Sequence, residues 1–240
     1  METRENIITF ICWLWDGWRP IYGPQHVNAL ARMLKDYGPK DYRLICVTDM
    51  PKGITECMTY PLWDSPVADR KVRNCFARLK LFNERHASRF GRRLVSIDLD
   101  VVIMKDISPL FENLPDFKAV KGFSSLYNGS MWTLRPGVYP EVWDDFDPVA
   151  SPAEIAARRK SGERIFGSDQ AWMSIKIPDG ELWTEKDGVL QYLENNSVLR
   201  RRELPNARMV FFAGKANLDD SNVRAVCRPV WEQYQRYLNA

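Results

Sequence analysis

The stretch Arg93–Phe111 (R-L-V-S-I-D-L-D-V-V-I-M-K-D-I-S-P-L-F) constrains the fold most strongly, because two carboxylates interrupt an apolar strand pattern. Asp98 and Asp100 stand between the apolar residues of Leu94–Ile97 and Val101–Ile103. A carboxylate buried without a partner is prohibitively costly, so the pattern indicates a cation, a ligand or a sheet edge that opens on a cleft. Residues i and i+2 of a strand point to the same side, and both carboxylates are therefore predicted to reach one divalent ion.

The alternative for this pair is a salt-bridged strand end without a ligand. The chain contains a second D-x-D, Asp145-Phe146-Asp147, which ends in a proline and follows no strand pattern. We interpret that second pair as a helix end or a solvated turn. Aspartate is disfavoured inside strands, which favours a functional reading of Asp98 and Asp100.

Length and composition are those of one folded α/β domain. The chain has 240 residues, of which 45% are apolar and 27% charged, and we expect a single domain over residues 1–240. The formal charge is +3, and basic residues cluster at Arg92-Arg93, Arg158–Lys160 and Arg200–Arg202. These clusters favour anionic ligands or form solvated faces, and no motif indicates a specific nucleic-acid partner.

The five cysteines form no C-x-x-C pair, and reduced thiols in a cytoplasmic protein are expected. The apolar run after Asn6 is broken by Asp16 and lacks a cleavage site, so no signal peptide is predicted. No apolar stretch approaches the length of a transmembrane segment.

The first part of the chain predicts a strand at Ile7–Trp15, a helix at His26–Tyr37 and a strand at Tyr42–Thr48. This order is typical of a parallel unit with a right-handed crossover. Ligands of open parallel sheets bind at the carboxyl ends of the strands, so Trp13–Trp18, Asp49 and the D-x-D are expected to meet at one edge.

A long helix is predicted over Asp69–Arg85, with its apolar face at Val72, Phe76, Leu79 and Phe82 and its cations at Arg73, Arg78 and Lys80. A basic helix beside an acidic metal site suits a diphosphate, although ordinary surface cations are an equal alternative. The later predicted elements are a short helix at Ile107–Leu114, a strand at Ala119–Phe123, a helix at Ile155–Lys160 that begins at a capping box at Ser151, a strand at Ala207–Ala213 and a terminal helix at Pro229–Leu238.

Two polar segments leave alternatives open. Asn128-Gly129, between apolar segments, forms either a simple turn or a place where the backbone approaches a ligand and the amide binds it. In Gly167–Trp172 (G-S-D-Q-A-W), Ser168 is predicted to cap a helix. Asp169 there either serves the helix dipole or, with Gln170 and the stacking face of Trp172, grips a sugar.

The ordered segments F-I-C-W-L-W, L-I-C-V-T-D, L-V-S-I-D-L-D-V-V-I-M-K-D-I-S-P-L-F, Y-N-G-S-M-W, G-S-D-Q-A-W and V-F-F-A-G-K resemble the GT-A fold glycosyltransferases. The resemblance is to the glycogenin-like and lipopolysaccharide galactosyltransferase-like group and covers most of the chain. It implies a mostly parallel central sheet flanked by helices, with a donor-binding half at about 1–105 and a sugar and acceptor half at about 106–240. The implied activity is metal-dependent transfer of a sugar from a nucleotide donor, most readily a UDP-sugar, to a carbohydrate, lipid-linked or protein acceptor, with retention of configuration.

The resemblance also implies roles for individual residues. Asp98 and Asp100 would bind Mn²⁺ or Mg²⁺ and the donor diphosphate. The other implied positions are Trp13, Trp15, Tyr22 and Asp49 at the base and ribose, Arg78 near the donor, Asn128, Gly129, Asp169 and Gln170 at the donor sugar, and Lys215 at the diphosphate. If the reaction inverted configuration instead, Asp169 would be the candidate general base.

One position departs from the group's pattern. Members often close the metal site with a histidine late in the chain, where this sequence has Ala213 in F-A-G-K-A. Neither His26 nor His86 is obviously placed to replace it, so weaker metal binding is expected. A non-catalytic nucleotide-sugar or carbohydrate-binding protein of the same fold is therefore the alternative function.

Overall fold

A seven-stranded sheet forms the centre of the computed structural model, which describes residues 7–16, 22–64, 66, 73–192, 204–212, 224 and 227–240. Its strands run in the order β3 (Met58–Pro61), β2 (Tyr42–Thr48), β1 (Ile8–Leu14), β4 (Arg93–Ile97), β7 (Tyr127–Leu134), β6 (Phe117–Lys121) and β8 (Glu181–Trp183). The first four are mutually parallel, and β7 is antiparallel to both of its neighbours. The predicted α/β class with a mostly parallel central sheet is confirmed.

Strand β1 lies at the middle of the sheet, and all seven of its residues are buried. Its side chains alternate between two cores, with Phe10 and Cys12 on one face and Ile11 and Trp13 on the other. A strand that is covered on both faces reads as a continuous apolar run, which is why I-T-F-I-C-W-L was recognisable in the sequence.

A smaller three-stranded sheet covers one face together with two helices. Its order is β5 (Val101–Ile103), β10 (Met209–Phe212) and β9 (Val189–Tyr192), and it packs with α1 (Pro24–Tyr37) and the C-terminal helix α7 (Arg228–Leu238). The opposite face packs against short helices: α2 (Arg73–Ala77), α3 (Glu84–Ala87), α4 (Glu141–Asp144), α5 (Ala150–Lys160) and α6 (Asp169–Lys176). Among the described residues, no helix is both long and apolar enough to cross a bilayer.

The D-x-D connects the two sheets. Strand β4 ends at Ile97 and β5 begins at Val101, so Asp98 and Asp100 lie in a bend and not on a strand with one shared face, as the sequence had predicted. The bend is held at both ends by backbone hydrogen bonds, from Asp98 N to Ser130 O (2.8 Å) and from Phe212 N to Asp100 O (3.0 Å). The chain must change sheets here, which rules out continuous strand geometry.

The helix predicted over Asp69–Arg85 is not continuous where the structure describes it. From residue 73 it consists of α2, a 3₁₀ segment at Arg78–Phe82 and α3. Asn83 adopts an extended backbone and its side chain accepts a hydrogen bond from His86 N (3.0 Å), which ends one segment and caps the next. The apolar positions Phe76, Leu79 and Phe82 are buried as expected, and Val72 lies outside the described residues.

Three local predictions need correction. Of the two alternatives for Asn128-Gly129, the simple turn is excluded, because both residues belong to strand β7, whose register with β6 shifts between Ala119 and Val120. Ser168 is the N-cap residue of α6, as predicted, but its hydroxyl makes no capping hydrogen bond. Helix α5 is preceded by Asp147, whose carboxylate accepts hydrogen bonds from Val149 N (2.8 Å) and Ala150 N (2.6 Å), so the cap is not Ser151. This turn agrees with the solvated reading of the second D-x-D.

The remaining later elements were right in type but shifted at their ends. The predicted strand at Ala119–Phe123 is β6, and the short helix after the D-x-D is a 3₁₀ segment at Ser108–Phe111. Strand β10 and helix α7 confirm the last predicted strand and helix as far as the described residues extend.

His86 predicts a loss of stability in mild acid. Burial, with Lys80 and Arg89 nearby, lowers its pKa from 6.5 to about 4, and its Nε2 is buried without a hydrogen-bond partner among the described residues. The unfolded chain therefore binds a proton at higher pH than the folded chain, and stability is lost as the pH falls from about 6.5 to about 4. We expect chemical denaturation to show a loss of about 3 kcal/mol in that window, and a much smaller loss in His86→Phe. Equal slopes in both proteins would contradict this assignment.

Candidate functional site

Two adjoining clefts open at the carboxyl ends of β1 and β4, and Arg78, Asp98 and Asp100 line both of them. The first cleft has a volume of about 190 Å³, and its other lining residues are Trp13, Leu14, Trp15, Tyr22, Cys75 and Leu99. The second has about 320 Å³, and its other lining residues are Gly122, Phe123, Ser124, Asn128, Gly129, Ser130, Phe166 and Gln170. The D-x-D bend thus lies at the junction of two cavities.

Arg78 is the buried cation of the site. Its side chain extends from the 3₁₀ segment, with Nη1 2.5 Å from Asp98 Oδ1 and Nη2 2.7 Å from Asp169 Oδ2. Nη1 also donates a longer hydrogen bond to Gly129 O (3.3 Å). Burial alone would lower the pKa of Arg78, but Asp169 and Asp98 outweigh it and raise this pKa above its ordinary value. The guanidinium therefore remains charged and ties the D-x-D to helix α6.

Asp98 and Asp100 differ in how well they are compensated. Burial raises the pKa of Asp98 and Arg78 opposes that rise, whereas burial and then the charge of Asp98 raise the pKa of Asp100 well above its ordinary value. Asp100 Oδ1 is buried without a hydrogen-bond partner among the described residues. A buried carboxylate oxygen without a partner is costly, and it marks a position where a cation would be stabilised.

The donor set of this bend fits a hard divalent ion. Mn²⁺ or Mg²⁺ would use two carboxylates, of which Asp100 has an unpaired oxygen. Water and phosphate oxygens would fill the other positions around the ion. Within the described ranges, no group of three or more His, Cys, Asp or Glu side chains could enclose a metal. The rings of His26 and His86 pack against Tyr22 and Trp63 respectively, and neither residue lines the two clefts.

Of the residues predicted at the base and ribose, Trp13, Trp15 and Tyr22 line the first cleft. Trp13 is fixed by a hydrogen bond from its Nε1 to Ser96 Oγ (2.9 Å). Asp49 is not among the residues that line this cleft. Its carboxylate accepts a hydrogen bond from Asp16 N (2.9 Å) and so joins the end of β2 to the residues that follow β1.

The second cleft brings together Asn128, Gly129 and Gln170. Gln170 Oε1 accepts a hydrogen bond from Gly129 N (3.0 Å), which fixes helix α6 against strand β7. A Cβ atom at Gly129 would lie 3.1 Å from Arg78 Nη2, so this glycine allows the close approach of the guanidinium. Asn128 Nδ2 donates to Gln191 Oε1 (2.5 Å).

Asp169 lies behind Arg78 and lines neither of the two clefts. It is only 2% exposed, and its other oxygen accepts a hydrogen bond from Ser168 Oγ (3.1 Å). Trp172 is 2% exposed and its Nε1 donates to Val142 O (2.8 Å), so its ring is part of the core and offers no stacking face. Ala213 and Lys215 lie outside the described residues.

Gln191 and Phe166 are among the residues of the site that the sequence did not indicate. Gln191 connects Asn128 to the backbone, because its Nε2 donates to Lys121 O (2.5 Å), and no local pattern in β9 indicated this role. Phe166 lines the second cleft and is 42% exposed. Its position directly before the G-S-D-Q-A-W segment was the signal that could have identified it.

Protein-family models and curated protein sequences show no match to this chain. Solved structures do match. The galactosyltransferase LgtC in complex with donor and acceptor sugar analogs has a TM-score of 0.61 at 11% identity, over 96% of this chain and 95% of that one. The glycosyltransferase GlyE of Streptococcus pneumoniae TIGR4 has a TM-score of 0.55 at 12% identity, over 98% of this chain and 62% of that one. Mouse xyloside xylosyltransferase 1 has a TM-score of 0.54 at 10% identity, over 87% of this chain and 98% of that one. The chain therefore has the fold of the GT-A glycosyltransferases.

Proposed function

We propose that this protein is a glycosyltransferase that moves a sugar from a UDP-sugar to an acceptor with the help of Mn²⁺ or Mg²⁺. The observation that carries the proposal is the position of the D-x-D bend between two clefts, with Asp100 Oδ1 left without a partner. The likeness to solved glycosyltransferases supports it at the level of the fold. A nucleotide-sugar has two unequal ends joined by a diphosphate, and the two clefts with the acidic bend between them suit those three parts.

In this proposal the first cleft holds the nucleoside. Trp13, Trp15 and Tyr22 supply aromatic surface for a base and ribose, and Asp49 positions the loop after β1 through Asp16 N. Asp98 and Asp100 hold the metal, which when bound would offset the charge of the diphosphate as the sugar leaves. Lys215 is proposed to donate to the same diphosphate.

The second cleft then holds the donor sugar. Asn128, Gly129 and Gln170 present amide and backbone groups at its wall, and Arg78 contributes a charge at the junction. Asp169 is proposed to act by fixing Arg78 and the start of α6, because both of its oxygens are engaged and it is almost fully buried. This placement favours the retaining reaction over one in which Asp169 serves as a general base for the acceptor hydroxyl.

Gly129→Ala is expected to weaken the donor site without unfolding the protein. The added Cβ would stand 3.1 Å from Arg78 Nη2 and 3.5 Å from Gln170 Oε1, so at least one of these groups must move by a few tenths of an ångström. We expect kcat/KM for the donor to fall about 10- to 100-fold, since displacement of a positioned group is costly to the rate. A control Gly162→Ala change, at a turn where a Cβ meets nothing within 4 Å, should cost some stability because φ is +95° there, but should leave kcat/KM unchanged. Equal kinetics for Gly129→Ala and wild type would remove Gly129 from the site.

The experiment that tests the proposed function is release of UDP from a panel of UDP-sugars in the presence of Mn²⁺, with and without candidate acceptors. Slow donor hydrolysis that is lost in Asp98→Ala/Asp100→Ala supports the transferase. A protein that binds UDP with Mn²⁺ but releases none from any donor fits the non-catalytic binding protein. That alternative is favoured by the small metal-ligand set among the described residues.

The proposed partners are the nucleotide-sugar donor and a carbohydrate, lipid-linked or protein acceptor. We also propose a cytoplasmic location, where nucleotide-sugars meet reduced thiols. All five cysteines lie in the described part of the chain, where no disulfide joins them, and Cys12, Cys46 and Cys227 are buried.

A further inference from the structure

Phe166 is an exposed aromatic ring on a rigid backbone. Ser125 Oγ donates to Phe166 O (2.7 Å) and accepts from Phe166 N (2.7 Å), and Ser125 is itself only 7% exposed. Gln170 Nε2 donates to the same carbonyl (3.0 Å). The three hydrogen bonds fix the backbone that carries this ring at the wall of the second cleft, and a group held in place before binding loses less entropy when a ligand binds.

The next residue strengthens this arrangement. Gly167 has a φ of +94°, and a Cβ there would lie 2.7 Å from Gln170 Cγ. Only glycine satisfies both conditions, so the turn holds Phe166 and Gln170 in a fixed relation at the wall of the second cleft. The guanidinium carbon of Arg159, on α5, lies over the Phe166 ring at 5.2 Å from its centre.

A third cleft adjoins the second cleft. It has a volume of about 450 Å³, shares Gly122 and Phe123 with the second cleft, and reaches the edge strand β8 at Leu182. Its polar side chains are Lys121, Ser125, Arg164 and Glu185. Arg164 donates to Phe123 O and so fixes the rim that the two clefts share. Both cavities are within the size range of small-molecule sites.

We propose that Phe166 and the third cleft form an acceptor groove for a saccharide of two or more rings, one of which stacks on the Phe166 ring while the next enters the third cleft. The groove begins at the wall of the cleft assigned to the donor sugar, so a hydroxyl of the stacked ring would face that sugar. Ring stacking supplies an apolar face, and Lys121, Arg164 and Glu185 supply hydrogen bonds to hydroxyls. This inference deepens the proposed function and rests on it for the identity of the second cleft.

Ligand-observed saturation-transfer NMR, in the presence of UDP and Mn²⁺, tests the groove with methyl hexopyranosides and the disaccharides maltose, cellobiose, lactose and chitobiose. We expect at least one disaccharide to bind wild type more tightly than its methyl monosaccharide. Phe166→Ala should weaken that binding about tenfold, and Phe166→Tyr should restore it, as loss and return of a stacking face would. The control Val149→Ala removes another exposed apolar side chain, 78% exposed and outside the three clefts, and should change nothing.

Two results would overturn the proposal: binding of no saccharide to wild type, or equal binding to wild type and Phe166→Ala. Failure of the proposed function looks different, because wild type would then neither bind UDP with Mn²⁺ nor release UDP from any UDP-sugar. With an active acceptor in hand, the groove further predicts that Phe166→Ala raises KM for the acceptor more than it lowers kcat. A purely structural role for Phe166 would not produce that split or its rescue by tyrosine.

Discussion

Arg78→Met is expected to lower the free energy of unfolding by about 3 to 5 kcal/mol, because it leaves Asp98 and Asp169 without their shared cation. Asp169 is 2% exposed and Arg78 is 5% exposed, so water cannot replace the lost contact at Asp169, although it can reach Asp98, whose side chain is 27% exposed. This loss is a large part of the stability of an ordinary domain. Chemical denaturation measures it directly, and UDP binding with Mn²⁺ should be lost at the same time.

Two further variants keep this prediction testable if Arg78→Met does not fold. Arg78→Lys retains the charge but cannot hold both carboxylates in the same fork, and it should fold with a smaller loss of about 1 to 2 kcal/mol. Arg158→Met removes an exposed arginine that also contacts two carboxylates, Glu154 and Glu163, and should cost less than about 1 kcal/mol. A similar small loss for Arg78→Met would mean that the buried network contributes little.

Asp100→Asn is expected to stabilise the protein and to abolish its activity. Asp100 carries a buried charge next to Asp98 and an oxygen without a partner, so removal of the charge should raise the free energy of unfolding by about 1 kcal/mol in the absence of metal. Loss of a metal ligand should lower metal-dependent donor turnover by at least about 100-fold. Thermal unfolding without metal and UDP release measure the two effects.

Higher stability together with lost turnover identifies a carboxylate that serves the reaction and not the fold. Asp147 is the matched control, because it caps α5 through two backbone hydrogen bonds. Asp147→Asn should cost stability, or change it little, and leave turnover unchanged. A destabilised Asp100→Asn protein with normal turnover would assign Asp100 to the structure and not to the chemistry.

The sequence predicted those parts of the fold in which a residue pattern is compatible with only one kind of structural element. Strand β1 is apolar without interruption because it is buried on both faces, and β2 was predicted at its exact bounds. The positions of Asp98 and Asp100 at the end of a strand followed from the cost of burying their charges. Trp13 and Trp15 could be placed at the same edge because parallel strands share their carboxyl ends, whereas Tyr22 was implied only by the resemblance.

The parts that could not be predicted depend on contacts between distant segments. The bend at the D-x-D follows from the pairing of β5 with β10, more than 100 residues later in the chain. Asn128-Gly129 looked like a turn, but pairing of β7 with both β4 and β6 overrides that local preference. Likewise, the sequence left open whether Asp169 serves the helix dipole or grips a sugar, and its burial beneath Arg78 depends on how α6 packs against the 3₁₀ segment, which no local pattern encodes.

The central claim is that the D-x-D bend binds a nucleoside diphosphate through a divalent ion, and the melting temperature of wild type with UDP, with Mn²⁺ and with both tests it most directly. A ligand at about 100 times its Kd adds about 2.7 kcal/mol, which for a chain of this size is roughly 5 to 10 °C. We expect that shift only with UDP and Mn²⁺ together, retained in Asp145→Ala/Asp147→Ala and absent in Asp98→Ala/Asp100→Ala. No shift in wild type, or an equal shift in the Asp98→Ala/Asp100→Ala protein, would contradict the account.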